Sequence, residues 1–390
     1  MKKMIGGHEY LGMDKEEIDT PALLIDLDLL EKNIKTVADF YRGKKGAALR
    51  PHQKGNRSPM IAQKQIDAGA KGVAMTSFGL AELYVNFGIK DILVTNEIYG
   101  KNKITRLCSY SKHGDLTVGV DNIQNVKQLS NAALVNNTKI NVAIELYMGL
   151  GGPGIRDWET KALPFVKEIT ELKGIHFKGI WWHQGGLGSI FNWEERKRAH
   201  FETLDKVATL KAEIEDAGIG VEMLSGGHMC TWNMTPLYTG LSNVGVQAGN
   251  YVFCDWVDKL LEGNELFECA LTVMTRCTSR PGNKEAIFDF GINTCSDEAG
   301  GSGGGKIKGG YTSVVGPRFK DLEGVDYPVH QREEISWVTF EHPSRDIDVG
   351  DVFEVIPPHA DTTAKLHDKY YGIRDNKLEL IWPNYGRGLF

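Results

Sequence analysis

The sequence predicts an α/β protein, a (β/α)8 TIM-type barrel followed by a mostly antiparallel β domain. Three observations carry this. Short β-branched runs alternate with amphipathic segments of helical period from about residue 20 to 255. Polar and glycine-containing residues fall just after those runs. Beyond about residue 265 helical period fades, and β-type runs are separated by Gly, Pro and Asp turns. Strands alternating with crossovers specify a parallel sheet, and functional groups gathered after the strands suit a closed barrel better than an open doubly wound sheet.

Taken in order, a helix over 29–41 precedes the first strand. Strands are expected at 47–52, 72–76, 91–96, 116–120, 141–148, 177–183, 222–225 and 244–248, each followed by a crossover. Helices are expected at 59–68, 79–87, 122–133, 158–172 and 193–217, the last charged on one face and closed by Gly218. The second domain shows β-type runs at 270–278, 286–290, 334–340 and 352–356. These readings place the barrel at 20–265 and the β domain at 266–390, with residues 1–19 assigned to the latter. Within it, Gly300–Gly310 (GGSGGGKIKGG) is flexible by composition, a surface loop or a lid.

Composition narrows the function classes. Of the 390 residues, 41% are hydrophobic and 25% charged, which is the balance of a globular protein with a substantial core. The net charge of −6, without long runs of one sign, gives no reason to expect nucleic acid or an anionic membrane as partner. The N-terminal lysines lack an apolar stretch behind them, so no signal peptide is expected. The six cysteines are scattered without CxxC pairs or zinc-finger spacing, as in a reduced cytoplasmic protein.

Three constellations could carry chemistry. In Leu49-Arg50-Pro51-His52-Gln53-Lys54-Gly55, Lys54 ends the first strand and would point into the barrel mouth. Desolvation and neighbouring cations there would lower its pKa toward nucleophilic use; on spacing alone, a solvated surface lysine is the alternative. Glycine then clusters after strands six to eight, in His183-Gln184-Gly185-Gly186, Ser225-Gly226-Gly227-His228 and Gln247-Ala248-Gly249-Asn250-Tyr251. Such loops can hold a phosphate on backbone N–H groups, or be tight turns with no ligand. Last, His359 and Asp361, two apart in an extended segment, would project to one side and supply half a coordination sphere for a divalent metal. A hydrogen-bonded surface pair is the other possibility.

These segments occur beside Thr20-Pro21-Ala22-Leu23-Leu24-Ile25-Asp26, Asp91-Ile92-Leu93-Val94-Thr95-Asn96-Glu97, Asp289-Phe290-Gly291, Leu366-His367-Asp368 and Ile381-Trp382-Pro383. In that order the chain resembles the D-threonine aldolase and D-serine dehydratase family, the fold-type III pyridoxal 5'-phosphate (PLP) enzymes related to alanine racemase. The resemblance implies a PLP-binding barrel with a C-terminal β domain, a homodimer, and a small D-3-hydroxy amino acid as substrate. It makes Lys54 the Schiff-base lysine and places His52, Gly226, Gly227, Gln247, Gly249, Asn250 and Tyr251 around the cofactor, with Arg156, four residues off the family's arginine, as the candidate substitute there. His359 and Asp361 match its metal ligands. The oxygen of Asp361, where dehydratases tend to carry cysteine, favours manganese or magnesium over zinc and an aldolase over a dehydratase.

The resemblance also has departures. Gly152 stands where the family has an arginine facing the pyridine nitrogen, with Arg156 four residues on. His183 replaces a tyrosine near the cofactor. Gly55-Asn56-Arg57 replaces Thr-His-Lys, Asn293 replaces a lysine, and Gly226-Gly227-His228-Met229-Cys230-Thr231 replaces the Gly-Gly-Thr-Gly-Thr phosphate loop. These imply a substrate other than threonine or a shifted reaction. The expected reaction is retro-aldol cleavage to glycine and an aldehyde, with His183 or a metal-bound hydroxide as the base for the hydroxyl proton. Dehydration of D-serine or D-hydroxyaspartate, racemisation, and PLP binding without catalysis are the alternatives.

Overall fold

The computed structural model describes residues 10–149, 151–297 and 316–389, so the glycine-rich segment 300–310 lies outside the described residues. Two compact units emerge. One comprises Val37–Gly249 with Gly388 and Leu389; the other joins the described residues up to Thr36 to Asn250–Arg387.

In chain order the elements of the first half are β1 (Ala22–Asp26), α1 (Leu27–Tyr41), β2 (Ala47–Leu49), α2 (Pro59–Asp67), β3 (Val73–Met75), α3 (Phe78–Asn86), β4 (Asp91–Val94) and α4 (Lys101–Tyr110). There follow β5 (Asp115–Val120), α5 (Ile123–Val135), β6 (Ile140–Leu146), α6 (Trp158–Thr170), β7 (Ile175–Trp182), α7 (Trp193–Asp216), β8 (Met223–Gly226) and β9 (Val244–Val246). Strands β2 to β9 form one parallel eight-stranded sheet in the order β2-β9-β8-β7-β6-β5-β4-β3. Its two ends meet through Lys71 N donating to Leu49 O, Ala74 N to Pro51 O and Gln53 N to Ala74 O at 2.9, 3.1 and 2.7 Å, which closes the barrel. Ala74, Leu93, Ala143, Trp181 and Met223 fill its interior.

Two connections differ from expectation. Helix α4 has no counterpart in the sequence reading: only Ile104, Leu107 and Cys108 are buried, and its N-cap Gly100 offers no side chain to announce it. After β8 the chain crosses without an α-helix, through the short 3-10 turns Met229–Thr231 and Thr235–Leu237. Gly227 in the left-handed region and Pro236 at the start of the second turn account for that.

The other unit contains α8 (Trp256–Lys259), β10 (Leu271–Gly282), β11 (Glu285–Phe288), β12 (Arg318–Phe319), β13 (His330–Gln331), β14 (Ser336–Thr339), β15 (Val352–Ile356), α9 (Ala360–Ala364), β16 (Lys369–Arg374) and β17 (Lys377–Pro383). Its strands run in the order β13-β14-β11-β10-β1-β16-β17, with β15 bridging β10 and β12; pairing is antiparallel except for β1 with β16. Phe288, Phe319 and Phe353 pack ring to ring at its centre. The β16–β17 hairpin turns at Asp375-Asn376, both at positive φ, a dipeptide suited to the type I′ turn that matches strand twist.

Arg50, 4% exposed, donates from both terminal nitrogens to the carboxylate of Asp91 at 2.6 and 3.0 Å. Asp91→Ala strands that guanidinium in the interior. The variant should lose about 2–3 kcal/mol of stability in urea unfolding, an amount well beyond that of an exposed ion pair.

Candidate active site

The barrel closure sets the position of Lys54. Gln53 turns outward and is fully buried, its Nε2 donating to Gln65 Oε1 at 2.8 Å while its Oε1 accepts from Tyr84 OH at 3.3 Å. The neighbouring His52 turns inward. Its Nδ1 accepts from the Lys54 backbone N–H at 3.2 Å, so Nε2 carries the proton and lies 3.5 Å from Thr95 Oγ1. The turn beyond is fixed by Asn56 Oδ1, which accepts from Ser58 N, and by Arg57 at φ 46, which donates to the carbonyls of Lys54 and Leu389. Ser77 Oγ also donates to Leu389 O. Lys54 is half-buried at the end of this segment.

Lys54 lies near His183. Burial, and secondarily the charge of Lys54, lowers the His183 pKa from 6.5 to about 4, so its imidazole is neutral near pH 7. His183 packs edge-on against His228 with ring centroids 5.2 Å apart. The loop holding it rests on a buried chain of hydrogen bonds. Gln184 Oε1 accepts from Trp182 Nε1 at 3.2 Å and pairs with His200 Nδ1 at 2.8 Å, and His200 Nε2 meets Thr235 Oγ1 at 2.8 Å. Burial pushes His200 down to about 3.

The glycines around this mouth have a packing reason. A Cβ at Gly226 would lie 2.0 Å from the Trp182 ring, and one at Gly249 would lie 2.0 Å from His52 O. Glycine at both positions draws the ends of β8 and β9 close to the neighbouring segments. Gln247 donates to Ser225 Oγ at 3.1 Å, while its Oε1 is buried without a hydrogen-bond partner. Such an acceptor beside Lys54's segment fits a site for a polar ligand.

A carboxyl pair at the mouth escaped the sequence reading as a feature of chemistry. Glu145 follows Ala143 on the inward face of β6 and is in register with Trp181. It shares a hydrogen bond with Glu97, and burial pushes its pKa up to about 10; Glu97 is raised as well, again by burial first. The pair holds a proton near neutral pH. A lone glutamate inside the apolar run Ile140–Leu146 was the available signal.

Arg156 is exposed. Its guanidinium stacks 3.4 Å from the centroid of the Tyr147 ring and donates to Gly152 O at 3.2 Å, and these contacts hold it at the surface of its loop. Asn250 and Tyr251 belong to the other unit. Tyr251 is fully buried beside Phe267, and Asn250 Nδ2 donates to Asp255 at 2.7 Å and to Asp258 at 2.6 Å.

His359 and Asp361 lie in that same unit. The segment is not extended throughout: His359 is the extended N-cap and Asp361 sits in the first turn of α9. Even so, His359 Nε2 approaches Asp361 Oδ2 to 3.6 Å, while His359 Nδ1 faces Asp255 Oδ2 at 3.2 Å. Among the described residues there is no group of three or more His, Cys, Asp or Glu side chains arranged to hold a metal ion. One imidazole nitrogen and one carboxylate oxygen, with a carboxylate behind the imidazole, fit a divalent cation completed by ligands from outside the protein.

All six cysteines are buried, and no disulfide joins them. No helix among the described residues is long and apolar enough to cross a membrane.

Comparison with known proteins bears on this geometry. Residues 25–228 match the family description "Alanine racemase, N-terminal domain", and residues 270–373 match "Putative serine dehydratase domain". A 3-hydroxy-D-aspartate aldolase of Paracoccus denitrificans (strain Pd 1222) is 31% identical over 97% of this chain and 94% of its own length. A D-threonine aldolase of an Arthrobacter species is 28% identical over 95% and 93%. The crystal structure of D-threonine aldolase from Filomicrobium marinum superposes with a TM-score of 0.87 at 28% identity, covering 97% of this chain and 98% of that one. With barrel and β domain both matched, the chain belongs to the D-threonine aldolase and D-serine dehydratase family of PLP enzymes built on the alanine racemase fold.

Proposed function

We propose that this chain is a PLP-dependent lyase that cleaves the Cα–Cβ bond of a D-3-hydroxy amino acid of the D-threonine type to glycine and an aldehyde. The observation that carries this reading is Lys54 at the barrel mouth beside a neutral His183, in a chain similar over nearly its whole length to two aldolases. Bound PLP supplies an electron sink for the pair released when a bond at Cα breaks.

Lys54 offers the primary amine that holds the cofactor covalently. His52, held in one tautomer, gives the mouth a fixed N–H donor. Backbone N–H groups at Gly226, Gly227 and Gly249 suit a phosphate, and Gln247, Asn250 and Tyr251 are carried over as cofactor-binding positions on the resemblance alone; Arg156, off the family's position and stacked on Tyr147 at the surface, is not. His183 accepts the proton of the 3-hydroxyl. A pKa of about 4 makes it a weak base alone, and an anionic ligand in the mouth raises it toward the working range.

His359 and Asp361 would hold a divalent cation, manganese or magnesium before zinc, because Asp361 supplies a hard oxygen. Such a cation supplies Lewis acidity at a hydroxyl oxygen. A homodimer, as the resemblance implies, and a cytoplasmic location, which six buried cysteines outside any disulfide suit, complete the reading. The match of residues 270–373 to a serine dehydratase description favours one second reading, β-elimination to a 2-oxo acid and ammonia. Asp361 in place of a thiolate argues for the aldolase.

With PLP and Mn²⁺, the protein should release glycine and aldehyde from D-threonine, D-phenylserine or D-3-hydroxyaspartate. Lys54→Ala and Asp361→Ala should each lower turnover at least about 100-fold, on the scale of losing a general catalytic group. Ammonia with a 2-oxo acid would move the assignment to the dehydratase.

The cofactor-free protein should also show a His183 imidazole resonance, missing in His183→Gln, that titrates near pH 4 by NMR. Because the folded value lies below the ordinary 6.5, the unfolded chain binds more protons between those limits. His183 therefore lowers stability as pH falls from about 6.5 toward 4, and urea midpoints should track that fall.

A further inference from the structure

We propose that Asp255 is a positioning residue for the cation centre: its buried carboxylate holds His359 in the tautomer and orientation that turn Nε2 toward Asp361. The inference rests on the reading of His359 and Asp361 as cation ligands, and it names the group that prepares them.

Asp255 is 2% exposed and follows Cys254, whose φ of 50° bends the chain just before α8. Its Oδ1 accepts from Asp258 N at 3.0 Å, capping that short helix. Its Oδ2 accepts from Asn250 Nδ2 at 2.7 Å and from Ala360 N at 2.9 Å, and it faces His359 Nδ1 at 3.2 Å. An amide N–H and a side-chain NH₂ can only donate, so this oxygen is an acceptor in both contacts. The proton shared with His359 then sits on Nδ1, so Nε2, 3.6 Å from Asp361 Oδ2, is the nitrogen left to offer a lone pair to a cation. A ring nitrogen and a carboxylate oxygen at that separation leave a gap for a cation rather than a direct hydrogen bond.

The grip is double. Ala360 lies between the two ligands, so Asp255 holds both the His359 ring and the main chain that joins it to Asp361. Trp256 N donates to Pro357 O at 3.2 Å, a second tie between the same two segments. Asn250 Nδ2 spans Asp255 and Asp258 and fixes the carboxylate in turn. A carboxylate behind a ligating imidazole orients it and raises its basicity, and losing such a partner weakens metal binding about 10–100-fold.

The test uses the PLP-loaded protein, stripped of metal by chelation and titrated with Mn²⁺, with free Mn²⁺ read by electron paramagnetic resonance. Asp255→Asn keeps the shape but can present an NH₂ donor to Nδ1. It should weaken Mn²⁺ binding about 10–100-fold with PLP absorbance and circular dichroism unchanged. His359→Ala should abolish binding. If His359→Ala abolishes binding while Asp255→Asn binds as wild type does, Asp255 has no positioning role, although the cation site stands. If His359→Ala binds Mn²⁺ as wild type does, the cation reading itself fails and takes this inference with it.

A variant-free readout covers the case in which Asp255→Asn does not fold. In metal-free wild-type protein labelled with ¹⁵N-histidine, the resonance assigned to His359 should show the Nδ1–H tautomer. The Nε2–H tautomer there would overturn the proposal.

Discussion

The barrel mouth depends on the main-chain closure between the segments 49–53 and 71–74. The three hydrogen bonds that join Leu49, Pro51 and Gln53 to Lys71 and Ala74 continue the sheet past the formal end of β2, so the chain is still held in register when it reaches His52. Alternation along an extended strand then does the sorting: His52 turns to the interior and Gln53 to the helices outside. Lys54 comes next, at the point where the register ends and the Asn56–Arg57 turn begins. In the proposed role, an amine placed there is carried by a rigid element but has room to move, which is what a residue that exchanges a covalent partner requires.

The rest of the mouth adapts to that frame by close approach. Gly226 and Gly249 admit the Trp182 ring and the His52 carbonyl where any side chain would collide. Below them the Trp182–Gln184–His200–Thr235 chain uses buried polar groups with paired donors and acceptors, so the His183 loop is held without a regular helix after β8. The desolvation that this packing produces is what keeps His183 and His200 neutral.

Much of this was legible in the sequence, for physical reasons. Barrel strands are buried on both faces and read as apolar runs, and Lys54 stands a few residues past the end of the first of them. Although its Asn192 cap emerged only in the structure, the long α7 announced its end through Gly218. Helix α4 did not, because it buries only three residues and lacks a capping side chain. The β16–β17 hairpin went unread although Asp375-Asn376 marked its turn. His359 and Asp361 were found by their spacing, but the turn of helix that sets their separation came from tertiary context. The Asp255 contacts, 105 and 104 positions away, were beyond reach, and the lone Glu145 in an apolar run could not name Glu97, 48 positions away, because pairing at that range is a property of the fold.

The Glu97–Glu145 pair has a consequence for how the protein meets its ligands. A proton retained by buried carboxyls leaves the barrel mouth with one negative charge fewer than its residue types imply, so the formal −6 overstates the repulsion an incoming anion feels there. An amino acid bears a carboxylate and PLP bears a phosphate. An acidic protein that keeps part of its acidity masked at the doorway can admit both at a smaller electrostatic cost.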